Sequence, residues 1–409
     1  MTEALFIEYR IRLIDLLLFF KLVNNKLNAK NQIEKLKNEN QYRFLKDISV
    51  ADEKHIIYKG KTLLNLSSND YLGIASNKEL HKEFINTINE TDFNFGSGSS
   101  RSLSGNFDIY SKLEILIASA YKKDNAVIYN SGYHANTGIL PAITSKKDLI
   151  IADKLVHASL IDGFKLSDAT IKRFKHKDYE QLENILQKEK ANFENIFIVS
   201  ESTFSMDGDN ADLHKLVELK KQYKSFLYID EAHSIGVYGE NGYGLCEEEN
   251  LISEIDFIVG TFGKALGSVG AFVALNSDFK ELLINKSRSL IFTTALPPIN
   301  LQWTYFIFKK LPEFNVERNQ LKALNKEIKS LFAKNNILID AENHIVPIIT
   351  NSNELTLKIQ ERLMDKGLFV SAVRPPTVPV NTSRLRLSLN SNISIYDLSE
   401  MPLVIKSLM

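Results

Sequence analysis

Short apolar runs alternate with longer segments of helical period through the middle of the chain. The runs are "NAVIYNSG", "DLIIADKLVH", "NIFIVSEST", "SFLYIDEAH" and "DFIVGTFGK", spread between residues 125 and 264. Each is rich in Val, Ile, Leu, Phe and Tyr, the pattern of a strand buried on both faces. Between them, "YEQLENILQKEKAN" and "LHKLVELKKQY" place apolar residues every three or four positions, as an amphipathic helix does. Strands alternating with helices predict an α/β domain around a mostly parallel sheet.

After about residue 300 the rhythm changes. A helix-rich stretch from "LQWTYFIFKK" to "LFAKNN" leads into strand signals at "HIVPIIT", "GLFVSAVRPPTVP" and "SRLRLSLN", the pattern of a smaller α+β domain. Upstream, residues 25–48 have helix-forming composition, and "KTLLNLSSNDYLG" brings a short strand-like run and a turn. The expected organisation is a helical N-terminal segment over 1–60, packed with the small domain or a partner chain. A large α/β domain over 61–300 and a small C-terminal domain over 301–409 follow. "IRLIDLLLFFKLV" (11–23) is apolar but carries Arg12, Asp15 and Lys21, and a membrane span needs about 20 mostly apolar residues. It lacks the small-residue cleavage site of a secretion signal. It reads as an amphipathic docking helix or as a tail added by an upstream start codon.

Composition narrows the function. Lys+Arg and Asp+Glu are 50 each, so the net charge is zero, which argues against a nucleic-acid partner. The single cysteine, Cys246, rules out an intrachain disulfide and a cysteine-rich metal cage. With no secretion signal, that usage fits the cytoplasm. None of the eight histidines forms HxxxH or HExxH, so no metal site is expected. P-loop, GxGxxG and GxSxG signatures are absent as well.

Polar residues gather where the apolar runs end. One run ends in Ser131, Gly132 and Tyr133, another in His157, a third in Glu201 and Ser202 with Ser205 beyond. The next delivers Asp230, Glu231 and His233, and the last Lys264, set among glycines in "GTFGKALGSVG". Ligands of open parallel α/β sheets bind at the carboxyl ends of the strands, so these residues converge on one site. A lysine held near neutral by burial can form a Schiff base with an aldehyde. Pyridoxal phosphate needs such a lysine, a carboxylate that keeps its ring nitrogen protonated, and an anion cradle. Asp230 and Lys264, on consecutive strands, supply the first two. The helix start after "NSGYHANTG" supplies the third, through free backbone N–H groups. Taken singly, Asp230 also suits a helix N-cap, and His157 and His233 suit core histidines.

The ordered blocks "LSSNDYLG", "GSGSSRSLSG", "NSGYHAN", "DKLVHASLIDG", "ESTFSMDGD", "YIDEAHSIGVYGENGYG", "GTFGKALGSVG" and "RPPTVPVNTSRLRLSL" run from residue 66 to residue 390 or so. They resemble the α-oxoamine synthases, pyridoxal-phosphate enzymes of the aspartate-aminotransferase-like fold (fold type I). The likeness is greatest to members that make 8-amino-7-oxononanoate for biotin. The resemblance implies Lys264 as the Schiff-base lysine and Asp230 as partner of the pyridine nitrogen. It implies His157 stacked on the ring, and His233 bonded to the ring hydroxyl with Ser205 and Glu201 nearby. Backbone at Ser131, Gly132 and Tyr133 would hold the phosphate, with the Thr261 hydroxyl. Thr293 and Thr294 would reach it from the second subunit of a homodimer. Asn69 and Arg386 would bind the amino acid, Arg386 clamping its carboxylate through a bidentate fork. The substrates implied are an amino acid, L-alanine first, and an acyl thioester of coenzyme A or acyl-carrier protein.

Two arginines stand apart. Arg101 is expected to face water, or else to meet a carboxylate or coenzyme A phosphates, and Arg374 to orient the acyl chain or lie on the surface. Other readings remain open at this point: a sister synthase using glycine or serine, a plain aminotransferase, and a non-catalytic scaffold docked through its N-terminal helix.

Overall fold

The computed structural model describes residues 29–88, 94–340 and 342–409; the apolar segment 11–23 lies outside them. A helix, Ala29–Asn38, is followed by three strands: β1 (Ile48–Val50), β2 (His55–Tyr58) and β3 (Lys61–Asn65). The turn between β2 and β3 has positive φ at both Lys59 (49°) and Gly60 (74°), the two-residue geometry that matches strand twist in a hairpin.

The central sheet contains β4 (Asn125–Tyr129), β5 (Asp148–Asp153), β6 (Thr170–Phe174), β7 (Asn195–Glu201), β8 (Phe226–Asp230), β9 (Phe257–Thr261) and β10 (Ala271–Leu275). Their order is β4-β10-β9-β8-β7-β5-β6. Only β10 runs antiparallel to its neighbours, so the sheet is mostly parallel, as the alternating pattern predicts. β5, β8 and β9 are buried almost throughout, while the edge strand β6 exposes Thr170 and Arg173. A charged edge discourages pairing with other chains.

The last strands are β11 (Ile345–Ile349), β12 (Leu368–Phe369), β13 (Ser371–Val373) and β14 (Arg384–Ser388). β11, β14 and β13 make an antiparallel sheet in that order. β12 pairs in parallel with β3, completing a sheet β1-β2-β3-β12.

Two expectations change here. Residues 48–50 and 55–58 are strands rather than helix, because Ile48, Val50, Ile56 and Ile57 favour the pleated backbone and the Lys59–Gly60 turn closes the hairpin. β3, placed with the large domain by a boundary at residue 61, bonds instead to the C-terminal part: Leu64 N donates to Gly367 O (2.8 Å) and Leu66 N to Phe369 O (2.9 Å). Its Leu63 joins Ile56 and Phe369 in a small hydrophobic cluster apart from the main core.

Candidate active site

The carboxyl ends of β7 and β8 set the floor. Glu201 and Asp230 are register partners on adjacent parallel strands, and both are buried. Burial first, and then the neighbouring Asp230 charge, push the Glu201 carboxyl well above its ordinary range. Glu201 Oε1 also accepts the backbone N–H of His157, tying the end of β7 to the start of the helix Ala158–Leu166. His157 caps that helix: its Nδ1 accepts from Ser159 N (3.2 Å). The His157 side chain is exposed in the single chain, so its ring face is open to a ligand. Desolvation of the part of the ring that faces the cavity, opposed by the Asp230 charge, lowers its pKa.

Asp230 is held from two sides. Oδ2 accepts from Asn136 Nδ2 at 2.7 Å and Oδ1 from Ala232 N at 2.9 Å. Asn136 is itself oriented, donating to Ser159 Oγ (2.9 Å) and accepting from the Tyr228 hydroxyl (2.6 Å).

Lys264 lies three residues past β9. Its Nζ is 2.7 Å from His233 Nε2. His233 Nδ1 is 2.6 Å from the Tyr71 hydroxyl, which donates to Asn69 Oδ1 at 3.0 Å. Asn69 Oδ1 also accepts from Arg386 Nη1 and Nη2, each at 3.2 Å. One polar chain therefore runs from the lysine to Arg386. Burial lowers the Lys264 ammonium to about 8; Asp230 and Glu201 oppose that shift and Arg386 adds to it. Burial, then the charges of Lys264 and Arg386, push His233 well below its usual value, so its imidazole is neutral. The phenol of Tyr71, fully buried, is raised to about 12 by burial and stays protonated.

Glycine framing has a more specific cause than close approach of a ligand to Lys264. Gly267 has φ +56°, and a Cβ there would lie 2.6 Å from Ala75 N. Gly263 carries no such constraint. The turn after the lysine is thus fitted against the Ile74–Ala75 backbone.

A cavity of about 140 Å³ joins these groups. It is lined by Gly132, Tyr133, His157, Glu201, Asp230, His233, Thr261 and Lys264 from the sequence-based set, and by Asn136, Ser159 and Ala232. Ser131 stands just outside it as N-cap of the helix Gly132–Ile143, accepting from His134 N at 3.2 Å. A Cβ added at Gly132 would meet only Thr261, at 3.8 Å, so the missing side chain leaves a cradle at a helix N-terminus, suited to an anion. Thr261 Oγ1 faces that cradle and accepts from Gly263 N (3.2 Å). A lowered lysine, a fixed carboxylate, an open imidazole face and an anion cradle fit pyridoxal 5′-phosphate.

Besides Ser131, five expected residues lie off this cavity. Thr293 and Thr294 meet Asn130 instead, which donates to Thr293 Oγ1 (3.3 Å) and Thr294 O (2.7 Å). Asn69 and Arg386 form the far end of the polar chain; Ser205, also off the cavity, lends its carbonyl to Arg386 Nε (2.6 Å). Arg101 does not face water: it pairs with buried Glu114 (2.9 Å), donates to Asn106 Oδ1 (2.8 Å) and covers the Tyr110 ring at 4.0 Å. Arg374 is buried rather than on the surface, and its guanidinium donates to the carbonyls of Asn40 and Tyr42. A guanidinium with five donors satisfies such internal acceptors readily. Sequence reasoning missed Asn136 and Tyr71, although both stand inside the quoted blocks "NSGYHAN" and "LSSNDYLG".

Residues 61–400 match the aminotransferase class I and II family. A Neisseria gonorrhoeae protein called "Putative 8-amino-7-oxononanoate synthase" is 50% identical over 366 residues, 89% of this chain and 96% of its own. A Haemophilus influenzae protein of the same description is 49% identical over 372 residues, 91% and 98%. This chain belongs to the aminotransferase class I and II family, among its α-oxoamine synthases. Solved α-oxoamine synthases share the fold. Serine palmitoyltransferase of S. paucimobilis, with a pyridoxal-phosphate–myriocin adduct, superposes with a TM-score of 0.84 at 27% identity, over 94% of this chain and 98% of that one. The 8-amino-7-oxononanoate synthase of Francisella tularensis gives 0.72 at 30% identity, over 84% and 97%. No helix among the described residues is long and apolar enough to cross a membrane.

Proposed function

We propose that this α-oxoamine synthase joins L-alanine to a pimeloyl thioester and releases carbon dioxide, giving 8-amino-7-oxononanoate. A carbon–carbon bond forms between the α-carbon and the acyl carbonyl, the carbon–sulfur bond breaks to free the thiol, and the bond to the alanine carboxylate is lost. The observation that carries this reading is the half-identical relatives of that description, matched over nearly their whole length.

Pyridoxal 5′-phosphate is the cofactor, and it supplies an electron-withdrawing ring that spreads the negative charge developing at the α-carbon. The chain's own residues do the rest. Lys264, with its ammonium lowered to about 8, is readily freed as an amine whose Nζ takes the α-proton. The neutral His233 Nε2 at 2.7 Å holds that Nζ in place. Asp230, fixed by Asn136, would pair with the cofactor's ring nitrogen, and the His157 ring would lie against its face. Gly132, Tyr133 and Thr261 would hold its phosphate, with Ser131 capping the helix behind them. Arg386 and Asn69 orient the amino-acid carboxylate.

Thr293 and Thr294 serve the site of a second copy in a homodimer. Supporting this, Thr294 is exposed, Phe292 (70%) presents apolar surface beside it in sequence, and so does Leu103 (83%), on the turn whose Ser99 carbonyl accepts from Ala295 N.

The reaction is tested with purified enzyme loaded with cofactor, supplied with pimeloyl-CoA and, separately, L-alanine, glycine and L-serine. Thiol release with L-alanine, and a product of the mass of 8-amino-7-oxononanoate, is the expected result. Release with glycine or serine alone moves the enzyme to a sister activity; amino transfer to a keto acid without thiol release makes it an aminotransferase.

A further inference from the structure

A second cleft opens beside the first. Its volume is about 530 Å³ and it shares His157 with the Lys264 cavity. Leu155, Val156 and Ile161 from the stretch after β5, Met206 from the loop after β7, and Pro376 and Val378 from the C-terminal part give it apolar walls. Such walls suit a hydrocarbon chain.

Two charged side chains also line the cleft, Lys154 and Asp207. Asp207 Oδ1 is engaged by Arg384 Nη1 at 2.7 Å. The Lys154 ammonium has no carboxylate or carbonyl partner among the described residues. Only the Lys154 backbone is occupied: its N–H donates to Phe174 O (3.0 Å) and its carbonyl accepts from Arg173.

Resting on the reaction proposed above, we infer that this cleft holds the acyl chain of the thioester and that Lys154 recognises a carboxylate at its far end. The acyl carbonyl sits at the His157 end, against the cofactor cavity, and the chain runs along the apolar walls toward Lys154. The two are three positions apart in the chain, so their Cα atoms are at most about 11 Å apart. That span suits a medium-length chain; a long fatty chain would run past Lys154 into water. A terminal carboxylate meets an unpaired ammonium there, whereas a terminal methyl gains nothing from it. Lys154 is a specificity-determining residue on this account, and the selectivity it confers separates dicarboxylic from fatty acyl groups.

The test compares pimeloyl-CoA with heptanoyl-CoA, which has a methyl in place of the terminal carboxylate. Binding to the cofactor-loaded enzyme is measured calorimetrically without amino acid, and CoA release with L-alanine is measured separately. Lys154→Met is expected to weaken pimeloyl-CoA binding and lower its kcat/KM about five- to tenfold, as loss of one partly exposed ion pair should. Heptanoyl-CoA should change by less than about twofold, and Lys154→Arg should keep the preference. Equal losses on both thioesters, or no change on either, overturn the inference. If the wild type binds pimeloyl-CoA preferentially through Lys154 but releases no CoA, the acyl site stands and the proposed reaction fails.

Discussion

Lys264 Nζ lies 2.7 Å from His233 Nε2, so the amine proposed to carry the chemistry is positioned by an imidazole that burial keeps neutral. A neutral ring can accept a hydrogen bond from the lysine in either of its protonation states without adding a second positive charge. The lysine's lowered pKa follows from that arrangement: it is buried, and Arg386 at the other end of the chain pushes it further down.

The first expected outcome concerns that lysine. With a pKa of about 8, roughly a tenth of the amine is free at pH 7 and roughly nine-tenths at pH 9. The rate at which cofactor-free enzyme captures pyridoxal phosphate should rise about tenfold over that interval and level off above it. A rate that keeps climbing beyond pH 10 would show an ordinary lysine. Lys264→Arg, which cannot deprotonate, should abolish capture.

Tyr71→Phe removes the hydroxyl between His233 Nδ1 and Asn69 Oδ1 and leaves a buried ring nitrogen without a partner. The cost of such a group is about 1–3 kcal/mol. Thermal and urea denaturation should show that loss. Turnover should fall through kcat more than through KM for the amino acid, because His233 stands at the lysine and Arg386, proposed to hold the carboxylate, is untouched. Unchanged stability would mean that water replaces the hydroxyl.

Arg386→Lys keeps the charge but loses the fork that reaches Asn69, Ser205 O and Ser388 Oγ together. The expected result is a KM for L-alanine raised about tenfold or more, with cofactor affinity within about twofold of wild type. A matching loss of cofactor would place Arg386 in the cofactor's own site instead.

A fourth outcome is a matter of stability. His176 sits between Asp153 (Nδ1, 3.1 Å) and Asp209 (Nε2, 2.9 Å). Those two carboxylates, against the opposing effect of burial, raise it to about 9. A histidine whose pKa is raised on folding stabilises fully below its unfolded value near 6.5, and the effect is lost as pH rises through the folded value. The protein should therefore lose stability between about pH 6.5 and pH 9, by roughly 2–3 kcal/mol at most. Denaturation midpoints of wild type and His176→Gln across that range check it: the two curves should converge at the alkaline end.

The convergence of the strand-end residues on one cavity was largely legible in the sequence. Asp230, His157, His233 and Lys264 follow apolar runs, and parallel strands deliver their final residues to one edge. Eight of the expected residues line the Lys264 cavity. Asn136 and Tyr71 were hidden by their type: a mid-helix asparagine and a core tyrosine look like ordinary packing until their partners are seen. The two arginines misled for a related reason. A long charged side chain usually reads as surface, yet Arg101 pairs inside with Glu114, and Arg374 Nη1 and Nη2 donate to the carbonyls of Asn40 and Tyr42.

By itself the sequence determined the α/β architecture, the residues at the strand ends and the cofactor chemistry they suit. These depend on local period and residue type, which are written along the chain. The pairing of β3 with β12, 304 residues apart at Leu64 and Leu368, was decided only by the tertiary structure. So were the polar chain from Lys264 to Arg386 and the meeting of the two clefts at His157. Each of these joins distant segments through hydrogen bonds or shared surface, and no local pattern specifies which distant partner a polar group will find.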